Sequence, residues 1–167
     1  MPRTTAFAQF SHATNHGFFV SAFFLLRLAL GGLFLWSGWS KMSIPDWSAS
    51  AFLTHATGPF AGWFQSLAGN PVVDGLNMYG MLAIGIALIL GFLVRPAAFC
   101  GMVLMILYYF ANFDTNTAHG FIDEHLIYAM VFLVFLAGGV GSVWGLNSLI
   151  ARQPSLQGSR WVKWLFS

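Results

Sequence analysis

The sequence predicts an all-α integral membrane protein: a four-helix bundle with both termini cytoplasmic and an outer amphipathic helical loop between helices 1 and 2. Three observations lead there. The 167-residue chain is 57% hydrophobic and only 7% charged, with a mean hydropathy of +0.72. Four apolar runs approach the roughly 20 residues that a helix needs to cross about 30 Å of hydrocarbon. The few charges divide between the two sets of loops that four crossings create.

Taken in order, residues 1–17 are polar with scattered alanines and aromatics and read as a mobile N-terminal arm. The first apolar run, Phe18 to Trp39, exceeds a signal-peptide core and lacks a clean cleavage site, so it reads as a retained helix. An outer loop, 42–71, follows. Phe52, Leu53 and Ala56 recur at helical spacing, as do Phe60, Trp63, Phe64 and Leu67, which gives two short amphipathic helices. Pro45 and Asp46 suit a helix start, Gly58-Pro59 breaks the pair, and Gly69-Asn70-Pro71 ends it. Such helices lie on the membrane surface or cap the bundle. The second run, Val72 to Val94, and the third, Ala97 to Asn112, are joined by the tight "VRPAA" and must be antiparallel neighbours, with Pro96 tolerated at a helix start. The fourth runs from about Asp123 to Trp144, closing a transmembrane domain over 18–147. The tail, 148–167, ends in "SRWVKWLFS", a basic amphipathic cytoplasmic anchor.

Orientation follows from charge. One side carries Arg3, Arg95, Arg152, Arg160 and Lys163; the other carries Lys41 against Asp46, Asp74, Asp114, Asp123 and Glu124. The Lys/Arg excess marks the cytoplasmic face of a cell inner membrane. Trp36, Trp39, Trp47 and Trp63 fall at the outer level, and Trp144, Trp161 and Trp164 at the inner one, as amphipathic rings do at interfaces. The lipid bilayer is the first partner, and no nucleic acid is expected. The single cysteine, Cys100, excludes a Cys-x-x-Cys pair within this chain and reads as a small packing residue. Glycines throughout the spans, among them Gly31, Gly80, Gly85 and Gly91, read as sites of close helix packing.

Most of the polar chemistry gathers at the outer end. Lys41, Asp74, Asn77, Tyr108, Tyr109, Asn112 and Asp114 belong to that level, with Asp123, Glu124, His125 and Tyr128 opening the fourth helix. Asp123 and Glu124 suit a helix N-terminus through the dipole. Glu124 and Tyr128 share a face, and Lys41 is the natural ion-pair partner for Glu124 or Asp123. His119 and His125 match no metal signature, and neither a metal nor a haem is expected. Arg27 stands apart, within a span. An arginine there costs at least about 2.5 kcal/mol and either snorkels to headgroups or contacts a buried ligand, with Tyr108 the nearest plausible acceptor.

The segments "LRLALGGLFLWSGWSKM", "HATGPFAGWFQSLAGNPVVD", "GIALILGFLVRPAAF", "HGFIDEHLIYA" and "GVGSVWGLN", in this order and spacing, resemble the DoxX/DoxD family of small four-helix membrane proteins. Within it they are similar to the DoxD-like small subunit of thiosulfate:quinone oxidoreductase. That resemblance implies oxidation of thiosulfate to tetrathionate at the outer surface, with electrons passing to a membrane quinone and a larger partner subunit present. A quinone pocket needs apolar walls, polar groups at the carbonyls and a proton source, which would make Glu124 and His125 proton-exchanging catalytic groups, Arg27, Tyr108, Tyr109 and Tyr128 quinone contacts, and Lys41 and Asp123 substrate or ion-pair residues. Two positions depart from the family pattern, Met81 where a glutamate is expected and Asn147 where an aspartate is common. The alternative is a non-catalytic membrane subunit that anchors or organises a larger respiratory or photosynthetic complex. A transporter fits less well, because no polar stripe crosses the inner half.

Overall fold

The computed structural model describes residues 6–115, 120–138 and 144–146. Six α-helices account for most of them: α1 (Ala6–Met42), α2 (Ser50–Thr54), α3 (Ala61–Ser66), α4 (Pro71–Leu90), α5 (Val94–Ala111) and α6 (Glu124–Gly138), with a 3-10 turn at Phe113–Thr115. No strand occurs among the described residues; Thr57 and Asn112 form an isolated bridge.

Three helices are long and apolar enough to cross a membrane, Gly17–Met42, Pro71–Leu90 and Val94–Ala111. The fourth, α6, is apolar but spans 15 residues, about 22 Å at the α-helical rise. The remainder of the run expected through Trp144 falls largely on residues 139–143, which lie outside the described ones, as do the tail 148–167 and His119.

Helix α1 begins at Ala6, and 6–17 continues the span as helix, because no proline interrupts it and its alanines and long side chains favour helix. The start signal at Pro45-Asp46 also resolves differently. Asp46 takes a left-handed backbone with φ 53° and ends the turn after α1. Helix α2 starts later, where Ser48 Oγ accepts the Ser50 N–H at 3.1 Å and Asp74 Oδ1, reaching from α4, accepts the Ala49 N–H at 2.8 Å. The break at Gly58 (φ 84°) and the start at Asn70 follow expectation. The Asn70 side chain accepts the Val72 N–H at 2.9 Å, and Pro71 fills the first helical position, where a missing N–H costs nothing.

Helix α1 packs along α4, and α5 along α6. The α1–α4 seam is nearly backbone on backbone: a Cβ at Gly85 would sit 2.4 Å from Leu35 N, and one at Gly38 would sit 2.6 Å from Leu82 N. The α5–α6 seam is knob into gap, with the Phe132 ring occupying the space that a Cβ at Gly101 would need. The central core joins both pairs through Leu30, Phe34, Ile84, Leu88, Met105 and Phe132. Phe34 and Phe132 meet edge to face at 5.1 Å, a geometry that aromatic quadrupoles favour.

The loop between α1 and α4 caps one end of the bundle. Ala49, Leu53, Ala56 and Phe64 form a second core with Ala111 at the end of α5. Thr57 N–H donates to Ala111 O at 3.0 Å, and Asp114 Oδ2 accepts the Gly58 N–H at 2.9 Å. Two acids that charge alone marks as part of a negative surface, Asp74 and Asp114, therefore hold the cap in place.

Candidate functional site

The capped end gathers polar side chains from four helices. On α4, Asn77 and Met81 are one turn apart and both buried, so they present one face. Tyr108, near the end of α5, donates its hydroxyl to Asn77 Oδ1 and lies 4.0 Å from Met81 Sδ. Asn77 in turn donates Nδ2 to Val73 O at 3.0 Å. From α1, Lys41 Nζ lies 3.4 Å from both Met81 Sδ and Ser37 O and 5.6 Å from the Trp47 ring centroid.

Ahead of α6, Asp123 has two roles. Its Oδ1 accepts the Leu126 N–H at 2.8 Å, capping the helix, and its Oδ2 lies 2.7 Å from His125 Nδ1. A carboxylate can only accept, so His125 carries a proton on Nδ1, and Nε2 is the nitrogen left to act on another molecule. The imidazole meets the Tyr108 ring edge to face at 5.6 Å, while Phe52 of the cap meets that ring at 5.5 Å. Asp123, His125, Tyr108, Asn77, Met81 and Lys41 thus form one cluster beneath the cap.

Not every residue expected at a site joins it. Glu124 is exposed at the first position of α6. Tyr128 packs against the central core. Tyr109 donates its hydroxyl to Phe121 O at 2.7 Å, tying the approach to α6 onto α5. Lys41, expected opposite Glu124 or Asp123, faces the Met81 sulfur instead, and Asp123 takes His125 as its partner.

Arg27 is fully buried and lies at the other end of the bundle, beside the turn after α4. There its Nη2 donates to Trp144 O at 3.4 Å, it crosses the Phe24 ring at 5.3 Å, and it presses on Gly91 after α4. Tyr108 is separated from the start of α5 at that end by roughly 21 Å of helix. Arg27 and Tyr108 therefore cannot contact one headgroup.

Asn77 is the functional candidate that sequence reasoning underweighted. A buried amide within an apolar span is costly and calls for a partner, but that partner, Tyr108, comes from a different helix. In the sequence Met81 stands out only as a departure from the family pattern. In space it is the hinge of the cluster, with the lysine ammonium on one side and the tyrosine hydroxyl on the other. Among the described residues, no three His, Cys, Asp or Glu come together as a metal site.

A small, all-helical, membrane-embedded protein with a polar cluster under a helical cap is the class that this fold and site define. The DoxX family model matches residues 22–114, from the middle of α1 through the cap to the end of α5. The chain belongs to the DoxX family. Among curated proteins and solved structures, nothing matches it.

Proposed function

We propose that the chain is the membrane subunit of a quinone-linked oxidoreductase, binding a quinone headgroup at the capped end while a partner chain draws electrons from thiosulfate. The observation that carries this reading is the contact of the Asp123–His125 pair with Tyr108, itself bonded to Asn77 across α4 and α5. A quinone accepts two electrons and two protons to become a quinol. Asn77, whose Nδ2 carries a second hydrogen beyond the one given to Val73 O, offers a neutral donor to a carbonyl oxygen, and Tyr108 holds that amide in place by donating its hydroxyl to Oδ1. His125, oriented through Nδ1 by Asp123, can hold a proton at Nε2 for transfer to that oxygen. Lys41 supplies positive charge near an oxygen that gains electron density. Exposed Glu124, next in sequence, is suited to relay protons from solvent. With one cysteine in the chain, exposed on α5, there is no internal dithiol to carry electrons, and in this reading a partner subunit delivers them.

In this reading α6 is the fourth crossing, both termini share the turn end beside Arg95, and the positive residues there put that end in the cytoplasm. The cap then faces outward in an inner membrane.

The accessory reading, a subunit that anchors or organises a respiratory or photosynthetic complex, is favoured by one observation. Met81 stands where the family resemblance implies an acid, so the cluster lacks a carboxylate beside Lys41. Thiosulfate-dependent reduction of a quinone analogue by native membranes separates the two. Deleting the chain, with the other subunits held at constant level, abolishes the activity in the redox reading and leaves it unchanged if the thiosulfate assignment is wrong. His125→Gln then lowers kcat with the partner still membrane-bound, whereas an accessory subunit tolerates it.

A further inference from the structure

The polar cluster is closed over by a segment of the cap whose two ends are held very differently. Asn77, Met81 and Asp123 are buried, so a molecule arriving from the capped end does not reach them in this conformation. Residues 47–57, which carry α2, form the cover. Trp47 lies over the Lys41 ammonium, 5.6 Å from ring centroid to Nζ, and Phe52 meets the Tyr108 ring at 5.5 Å.

The C-terminal end of this cover is fastened several times over, to α3 and to the end of α5. Thr57 N–H donates to Ala111 O at 3.0 Å, and Gly58 N–H to Asp114 Oδ2 at 2.9 Å. Asp114 N–H returns a bond to Thr57 Oγ1 at 3.1 Å, and Gln65 Nε2 donates to Ala56 O at 3.2 Å. The N-terminal end is tied to the bundle, among the described residues, by a single hydrogen bond, from Ala49 N–H to Asp74 Oδ1 of α4 at 2.8 Å. Its other bonds are local, Trp47 N–H to Ile44 O and Ser50 N–H to Ser48 Oγ. The chain leading into it, 42–46, is exposed throughout. Asp46 there holds a left-handed backbone at φ 53°, and Gly58 at the far end has φ 84°. Element-terminal residues of this kind absorb the backbone rotation of a hinge. A five-residue helix does not persist away from its packing, so release of the Ala49 end frees α2 as a unit.

We propose that 47–57 is a gate over the polar cluster, hinged at Thr57 and Gly58 and latched by Asp74. It swings out from the Ala49 end, lifting Trp47 from Lys41 and Phe52 from Tyr108. Asp74 precedes Asn77 by three residues on α4, hence on the same face, so a headgroup that meets Asn77 sits beside the latch. That the entrant is a quinone rests on the proposed function; the gate itself rests on the unequal fastening of its two ends.

The test is hydrogen–deuterium exchange of the full chain in phosphatidylcholine nanodiscs, followed in peptides covering 47–56 and 57–66. Asp74→Ala removes the latch and raises exchange in 47–56 about tenfold, as loss of one hydrogen bond to a carboxylate does, with 57–66 unchanged. Asp74→Asn, whose amide oxygen still accepts the Ala49 N–H, stays near wild type. In a Cys100→Ala background, Met81→Cys reacts with iodoacetate about tenfold faster when Asp74→Ala is added. The gate is overturned if Asp74→Ala leaves exchange in 47–56 unchanged, or if 57–66 accelerates equally, since the cap then loosens as one body. It is also overturned if Asp74→Asn behaves like Asp74→Ala, which places the effect in the charge at the start of α4. Faster exchange without faster reaction of Met81→Cys overturns it too, because the segment then moves without opening the cluster. None of these measurements uses a quinone, so failure of the gate leaves the proposed function standing, and failure of the thiosulfate assay leaves the gate.

Discussion

The two faces of α4 use the same small residue for opposite ends. Toward α1, Gly85 brings helix against helix so closely that a Cβ would lie 2.4 Å from Leu35 N; toward α5, Gly80 has open space. In water both faces would close, since exposed apolar surface is driven together. In lipid that drive is missing, and helices associate through contact and hydrogen bonds. The α1–α4 face supplies contact along its length. The α4–α5 face is held by its connecting turn and by the Asn77–Tyr108 bond, and the space between stays open. A small residue in a span is thus a permission, and the neighbour decides whether it is used for packing or for a slot.

That contrast can be broken most forcefully at Gly85. Gly85→Leu should destabilise the fold by about 3 kcal/mol or more, because the obstruction is backbone and cannot swing aside; unfolding in mixed detergent micelles measures it. Gly91→Ala should cost about 2 kcal/mol on the same assay. Its left-handed φ of 64° disfavours a Cβ, and the new methyl would meet Arg27 Nη1 at 2.9 Å and Gly145 Cα at 2.6 Å. Tyr108→Phe sharpens the comparison, since it removes the bridge across the open face. A loss of about 1 kcal/mol is expected from one hydrogen bond, accompanied by faster alkylation by a membrane-permeant maleimide of Cys100, which lines the space between the two helices, as that space widens. Asp123→Asn should cost less, a few tenths of a kcal/mol, because the amide oxygen still caps α6 through the Leu126 N–H. Its effect should appear instead as a lower kcat in the quinone assay, where His125 loses its carboxylate. Least of all, Gly80→Leu should leave stability within about 0.5 kcal/mol of wild type. A large loss there would mean that the open face is in fact packed.

Much of the architecture is legible in single residues. Asn70-Pro71 marks the start of α4 by local backbone chemistry, and the spacing of Phe52, Leu53 and Phe64 gives both short cap helices; the run expected through Val94 stops at Leu90 instead, because Gly91 turns left-handed. The position of most polar groups at one end is legible too, because a span fixes depth at about 1.5 Å per residue. Partners were harder to read. Lys41 looked matched to the acids of α6 by level and charge, yet rotation about α1 turns it to Met81. Arg27 reads as a mid-span anomaly when depth is counted from the start of the apolar run, whereas α1 extends back to Ala6. Only the fold brings Gly91 and the Trp144 carbonyl to it. Asp74 and Asp114 read as surface charge until the chain returned across the bundle and offered them backbone N–H groups.

By itself, then, the sequence determined that this chain lives in a membrane, that the cap gives way to α4 at Asn70-Pro71, and at which end of the bundle most of its polar residues gather. All three follow from hydropathy, glycine and proline chemistry, and the fixed rise of a helix, which are local or additive along the chain. Only the tertiary structure decided which polar group meets which, and which glycines pack and which leave a groove. Those depend on helix rotation and on pairing between segments far apart in sequence, and in lipid no general hydrophobic drive sets them in advance.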